Sequence, residues 1–311
     1  MKTNISLILI LCLLLGACKN GNASSQSKSE TPQDTIKAIK MPAIPQMMTA
    51  PEQRADFLAK HYWDNVNFAD TNYIHHPEVT EQAWADYCDL LNHIPLETAQ
   101  QAMRNVIDRT NVDKKVFTYI TDLADKYLYD PNSPMRNEEF YIPVLEAMIA
   151  SPVLNETEKI RPQARLKLAQ KNRIETKALN FTYTLASGAQ GSLYQLKAEY
   201  LLLFINNPGC QACTETIEGL KNAPIINQLL QEKKLVLLSI YPDEELDEWK
   251  KHLSEFPNEW INGYDKKFTI KEEQVYDLKA IPTLYLLDKD KTVLLKDATA
   301  PAIEAYLMQH Q

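Results

Sequence analysis

Asn206-Asn207-Pro208-Gly209-Cys210-Gln211-Ala212-Cys213 is the stretch on which the chain turns. Before it, Tyr200-Leu201-Leu202-Leu203-Phe204-Ile205 is an apolar run of strand length, and after it Ile217 and Leu220 fall at helical spacing. Cys210 is therefore expected in the turn where a buried strand passes into a helix, with Cys213 one turn inside. The free N–H groups and positive dipole at a helix start favour a thiolate, which makes the first cysteine the candidate nucleophile. The second, within reach, can close a disulfide and release whatever the first attacked. A Cys-x-x-Cys pair is weak as a bare pattern and strong in this strand-to-helix setting.

The strand and helix signals continue on both sides. Phe181-Thr182-Tyr183-Thr184-Leu185 alternates, Ser187 to Gly191 turns, and Leu193 to Leu196 is expected to complete a hairpin. Ile225 to Leu230 reads as helix, Leu235 to Tyr241 as a second buried strand, and Asp243 to Phe256 as a helix with an acidic first turn. A third strand is expected from Ala280 to Asp288, pairing back through Thr292 to Lys296, with an amphipathic helix from Pro301 to Gln311. The result is an α/β sheet covered on both faces.

Residues 51–171 have a different period. Ala55, Leu58, Tyr62 and Val66 step by three and four, as do Ala99, Met103, Val106 and Ile107, and a further apolar face includes Phe117, Ile120 and Leu123. Breaks at His76-Pro77, Ile94-Pro95 and Asp130 to Pro134 divide the stretch into about five or six short helices. Cys88 shares the face of Trp84 and Leu91, as a small buried hydrophobe does. His61, His75 and His76 lack companions at ligand spacing, so no metal is expected. Tyr62-Trp63-Asp64-Asn65 and Phe68 read as core packing under a polar cap, with a groove lining as the rival reading.

The beginning of the chain reads as an export signal. Lys2 and the apolar run Ile5 to Leu15, too short to span a bilayer, lead into Leu15-Gly16-Ala17-Cys18. That ending resembles the lipobox of bacterial lipoproteins, which implies lipidation of Cys18; the competing reading is an ordinary cleaved leader. Lys19, in place of an aspartate, favours outer-membrane sorting. Residues 18–50, rich in Ser, Asn, Lys, Gln and Pro, are expected to form a flexible tether after a leader at 1–17. The 311 residues suit two domains plus these extras. With 45% apolar and 24% charged residues the composition is that of an ordinary globular protein, and the net charge of −8 argues against nucleic-acid partners.

From Cys210-x-x-Cys213, its flanking strands and Ala280-Ile281-Pro282-Thr283, residues 172–311 resemble the thioredoxin fold. The closer likeness is to the TlpA/ResA-like branch of membrane-tethered thiol–disulfide oxidoreductases. The helical region, with Tyr62-Trp63-Asp64-Asn65, looks like a domain of unknown function that precedes thioredoxin-like domains in some lipoproteins. The resemblance implies that Pro282 is cis and that Ile281 and Pro282 offer backbone to an extended substrate. It implies Cys210 and Cys213 as the catalytic pair and no cofactor. As partners it implies a disulfide-containing protein or small thiol and a membrane thiol-transfer donor of electrons, with the whole facing the periplasm.

The departures are specific. Gly209 stands where tryptophan is common, Gln211-Ala212 lacks a proline, Phe204 occupies the position of the buried carboxylate, and Thr216 that of a ResA-like glutamate. Glu215 and Glu218 should point elsewhere. These losses keep open a second reading, a non-enzymatic binding lipoprotein whose cysteines form a static or vestigial disulfide. A peroxidase is disfavoured, because Asn207 and not threonine stands three residues before Cys210.

Overall fold

In a computed structural model the described residues are 38–310, and the helical and α/β parts belong to one unit. Cys12, Cys18, the leader and the first part of the tether lie outside the described residues. Ahead of the first helix, Ile39 packs against the helical core and the Lys40 carbonyl accepts from Asn65 Nδ2 at 2.9 Å.

Six helices build the first part: α1 (Pro51–His61), α2 (Pro77–Leu91), α3 (Leu96–Arg109), α4 (Lys114–Ala124), α5 (Glu138–Ala150) and α6 (Glu156–Ala169). Prolines open α1 and α2, where the missing N–H would have had no helical partner. Asp113 caps α4 by accepting from the N–H groups of Lys115 and Val116, and Asn137 caps α5 through Phe140 N–H. Between α4 and α5 the turn Asp125–Tyr129 is π-helical. Pro143 lies inside α5 and cannot supply the N–H that would reach the Glu139 carbonyl; Gln100 Nε2 of α3 donates to that carbonyl instead, at 3.0 Å. Tyr62, Trp63, Phe68, Trp84 and Tyr87 form one buried aromatic cluster, with Trp63 edge-on to Tyr87 at 5.6 Å. Cys88 is buried beside them.

The second part is a seven-stranded sheet in the order β2-β1-β5-β4-β3-β6-β7. The strands are β1 (Thr182–Leu185), β2 (Gln190–Ser192), β3 (Tyr200–Ile205), β4 (Leu235–Tyr241), β5 (Ile261–Tyr264), β6 (Thr283–Asp288) and β7 (Val293–Lys296). β3, β4 and β5 run parallel, and β6 is antiparallel to β3. Buried on both sides, β3 and β4 read as unbroken apolar runs. Leu202, Phe204, Leu284 and Leu286 face α7 (Gln211–Lys221), α8 (Pro224–Gln231) and the C-terminal helix α10 (Ala300–Gln309). Leu201, Leu203, Ile205 and Tyr285 face Phe181, Tyr183, Ile270 and Tyr276. This is an α/β thioredoxin-like fold behind an all-α part, as the pattern of elements implied.

Four details differ from the sequence reading. Leu193 to Leu196 does not form the second hairpin strand: β2 ends at Ser192, Gln195 Oε1 accepts from Ser192 N–H at 3.0 Å, and Leu193–Gln195 closes a 3-10 turn that buries Leu193. The helix expected from Asp243 shortens to α9 (Leu246–Lys251), because Asp243 is engaged by Lys271 and Asn207. β6 begins at Thr283, since Pro282 has no ladder donor. β5 is new, a short strand wedged between β4 and β1.

The sheet has narrow borders. β2 has three residues, and the chain at 175–178 covers the start of β7: Glu175 N–H donates to Val293 O at 2.8 Å, and Val293 N–H to Thr176 O at 2.9 Å.

Candidate active site

β3 delivers the chain to the site. Asn206, buried at its end, donates from Nδ2 to Phe204 O at 3.2 Å and to Ser239 Oγ of β4 at 2.8 Å. That pins the two parallel strands where the turn begins. Asn207 Nδ2 donates to Asp243 at 3.2 Å, so the side chain is held while its backbone N–H is aimed at Cys213 Sγ. Gly209 has φ +69°, which an L side chain rarely adopts, so a tryptophan here would strain this turn.

Cys210 is the N-cap of α7 and its sulfur accepts from Cys213 N–H at 3.3 Å. It is partly exposed, and its thiol points at the Ile281 carbonyl 3.8 Å away. The Ile281–Pro282 peptide is cis. The sequence-derived site residues Cys210, Cys213, Ile281 and Pro282 thus come together at one end of the sheet. Cys18 lies outside the described residues.

The two sulfurs, both free thiols, differ in setting. Cys213 is 2% exposed; burial first, then the interaction with Cys210, pushes its thiol up to about 12, against a smaller opposing effect of the Asn207 N–H. No carboxylate among the described residues hydrogen-bonds either sulfur. Phe204 is fully buried edge-on to Trp260 at 6.4 Å, Thr216 donates to Ala212 O, Glu215 accepts from Gln211, and Glu218 pairs with Lys221. Beside the turn lies a hollow of about 400 Å³ bordered by Asn207, Pro208, Asp243, Glu244 and Lys271.

Elsewhere Cys88, His61 and His76 are structurally engaged, while His75 is exposed. Burial pushes the Cys88 thiol well up. His61 pairs with Asp64 and His76 with Glu78. Among the described residues no group of three or more His, Cys, Asp or Glu is placed to hold a metal. Sequence reasoning missed Asn207, whose contribution is a backbone N–H and so leaves no side-chain signal. It also missed Lys279, two residues before Ile281, which is enclosed by three carboxylates.

Residues 198–293 match a family described as thioredoxin-like, and residues 17–172 match a domain of unknown function, DUF5106. A crystal structure of a thioredoxin-like protein from Bacteroides caccae is 83% identical, covering 89% of this chain and 100% of that one, with a TM-score of 0.87. The chain belongs to the thioredoxin-like proteins. This thioredoxin-like chain also resembles the C-terminal domain of an uncharacterized protein from Bacteroides fragilis, at 69% identity over 44% of this chain and 98% of that one, TM-score 0.44. A conserved protein of unknown function from the same species is 36% identical over 43% and 98% of the two chains, TM-score 0.43. No curated protein matches the thioredoxin-like chain.

Proposed function

We propose that the protein is a membrane-anchored, periplasm-facing thiol–disulfide oxidoreductase whose working couple is Cys210 and Cys213. The observation that carries this reading is the unequal pair: an accessible sulfur at the start of α7, supplied with an N–H, and a sealed sulfur behind it. In the direction of substrate reduction, Cys210 sulfur attacks one sulfur of a substrate disulfide, and the other leaves as a thiolate. Cys213 then gives up its proton to solvent and attacks Cys210 sulfur, expelling the second substrate sulfur as a thiolate. The substrate has gained two electrons and the protein has lost them as its own disulfide. Ile281 and Pro282 stand where an extended substrate segment would lie against the attacking sulfur. A membrane thiol-transfer partner returns the electrons, and lipidation at Cys18 holds the chain at the outer membrane.

One observation favours the rival reading, a binding lipoprotein with a static bond. Among the described residues no carboxylate hydrogen-bonds Cys213 to take its proton, and its thiol is pushed up to about 12, so resolution falls to water or another residue. The same experiment separates the two. Cys213→Ser is expected to accumulate mixed disulfides through Cys210 and to lose them in Cys210→Ser. Recovery of none, together with a bond in the parent protein that resists thiol buffers below about −300 mV, assigns the pair a structural role.

A further inference from the structure

The chain from Gln274 to Pro282 carries Ile281 to its place beside Cys210, yet among the described residues it makes no backbone–backbone hydrogen bond. Its support comes from side chains, largely out of the helical part and the segment that leaves it. Lys171 Nζ donates to the carbonyls of Glu273 at 3.1 Å and Gln274 at 2.6 Å. Asn172, buried, donates from Nδ2 to the Val275 carbonyl at 2.7 Å, while its Oδ1 accepts from Leu179 N–H at 2.7 Å. Lys279 Nζ is bonded to Glu138 of α5 at 3.0 Å, and it lies over the ring of Tyr129 from the π-helical turn at 5.2 Å. Glu138 also binds Lys296 of β7, and Lys296 donates to the carbonyls of Ala169 at 3.4 Å and Lys171 at 2.7 Å.

These contacts do two things. A carbonyl bound by an ammonium or amide fixes backbone position directly, and an enclosed ion pair cannot be exchanged cheaply for water. Burial works against the charge on Lys279, but Asp297, Glu138 and Asp277 more than offset it, so the charged form is favoured. Asp277 closes the arrangement by accepting from Lys279 N–H at 3.1 Å as well as from its Nζ at 3.3 Å.

We infer that the helical part, which brings no chemistry of its own to the cysteines, positions the Ile281–Pro282 strip of the site, with Lys171 and Glu138 as positioning residues for extended disulfide substrates. The inference rests on the redox reading above, and it divides substrates into two classes. A peptide disulfide that must lie along Ile281 and Pro282 depends on the anchored loop; a small disulfide that needs only Cys210 does not. Misplacing a docking backbone by about 1 Å costs up to about 100-fold in rate, so a partial release of the loop is expected to cost roughly tenfold.

The test uses the whole chain, reduced beforehand so that the protein itself supplies the two electrons, in single-turnover reactions with insulin and with the small aromatic disulfide dithiobis-nitrobenzoate. Lys171→Met removes two loop contacts at a partly exposed position and leaves the buried ion cluster intact; Glu138→Gln removes the ion-pair anchor. Both are expected to slow the insulin reaction roughly tenfold while the small disulfide stays within about twofold, and Lys171→Arg is expected to restore the insulin rate. Insulin rates within about twofold of the parent in both variants overturn the inference, and so does an equal fall for both probes. Parent protein inert toward both probes sinks the redox reading instead. Limited proteolysis within residues 274–282 then decides the anchoring: faster cleavage in the two variants upholds it, and an unchanged rate overturns it.

Discussion

Cys213 shows how much of this site is set by environment. Burial is the largest reason its thiol is pushed up to about 12, Cys210 adds to it, and the Asn207 N–H opposes it. Alkylation with iodoacetamide near neutral pH is therefore expected at Cys210 and not at Cys213, read by mass spectrometry of the digested protein; modification of Cys213 first would contradict the geometry. The same shift bears on stability. Below pH 9.0, the ordinary value, Cys213 keeps its proton whether the chain is folded or not, and contributes no pH dependence. Between 9.0 and about 12 the unfolded chain releases the proton and the folded one holds it, so stability falls as pH rises. Urea midpoints measured just below and just above pH 9.0 are expected to drop further in the parent than in Cys213→Ala, and equal drops would remove this contribution. The cysteine pair itself was plain in the sequence because a strand-length apolar run precedes it and a helical period follows. The Asn207 N–H was not, since a backbone donor has no residue type to announce it.

Elements made only by local pattern were legible, and elements made by their neighbours were not. β3 and β4 follow from their apolar runs, α7 from Ile217 and Leu220. β5 has only Ile261-Asn262-Gly263-Tyr264, four residues without alternation, and exists because β4 and β1 supply ladders on either side. Leu193 was taken from a strand by the Ser192–Gln195 bond, a turn whose side-chain partner is invisible to periodicity. Helix α5 gives the opposite case, a local fault repaired from outside. Pro143 leaves the Glu139 carbonyl without its helical donor and Gln100 supplies one. Gln100→Ala is expected to lower the unfolding free energy by about 1–3 kcal/mol in urea titrations, the cost of a buried carbonyl left unpaired. In the double variant with Pro143→Ala the new N–H can take that carbonyl, so the cost of removing Gln100 should shrink. A full additive loss in the double variant would show that the bond has no such compensating role.

At the scale of the whole molecule the two parts are joined by charge that the sequence does not advertise. Glu138 and Lys279 are 141 positions apart, and either alone reads as a solvated surface residue. Folding encloses them with Asp277, Asp297 and Lys296, each no more than 11% exposed at the side chain. Lys279→Met would leave three carboxylates facing one another without their shared cation. The expected loss is about 3–5 kcal/mol in urea unfolding at neutral pH. A loss below about 1 kcal/mol would mean that the cluster is solvated in practice. A different consequence follows from the way the sheet ends. One margin offers a ladder of only three residues, and the other, four residues long, is occupied at Val293 by the chain at 175–178. When many copies are crowded together, a collision side by side meets, at the described margins of the sheet, only short rows of amides on which a neighbour could be templated. The sheet margins therefore give a neighbouring copy little ladder to extend into a fibre.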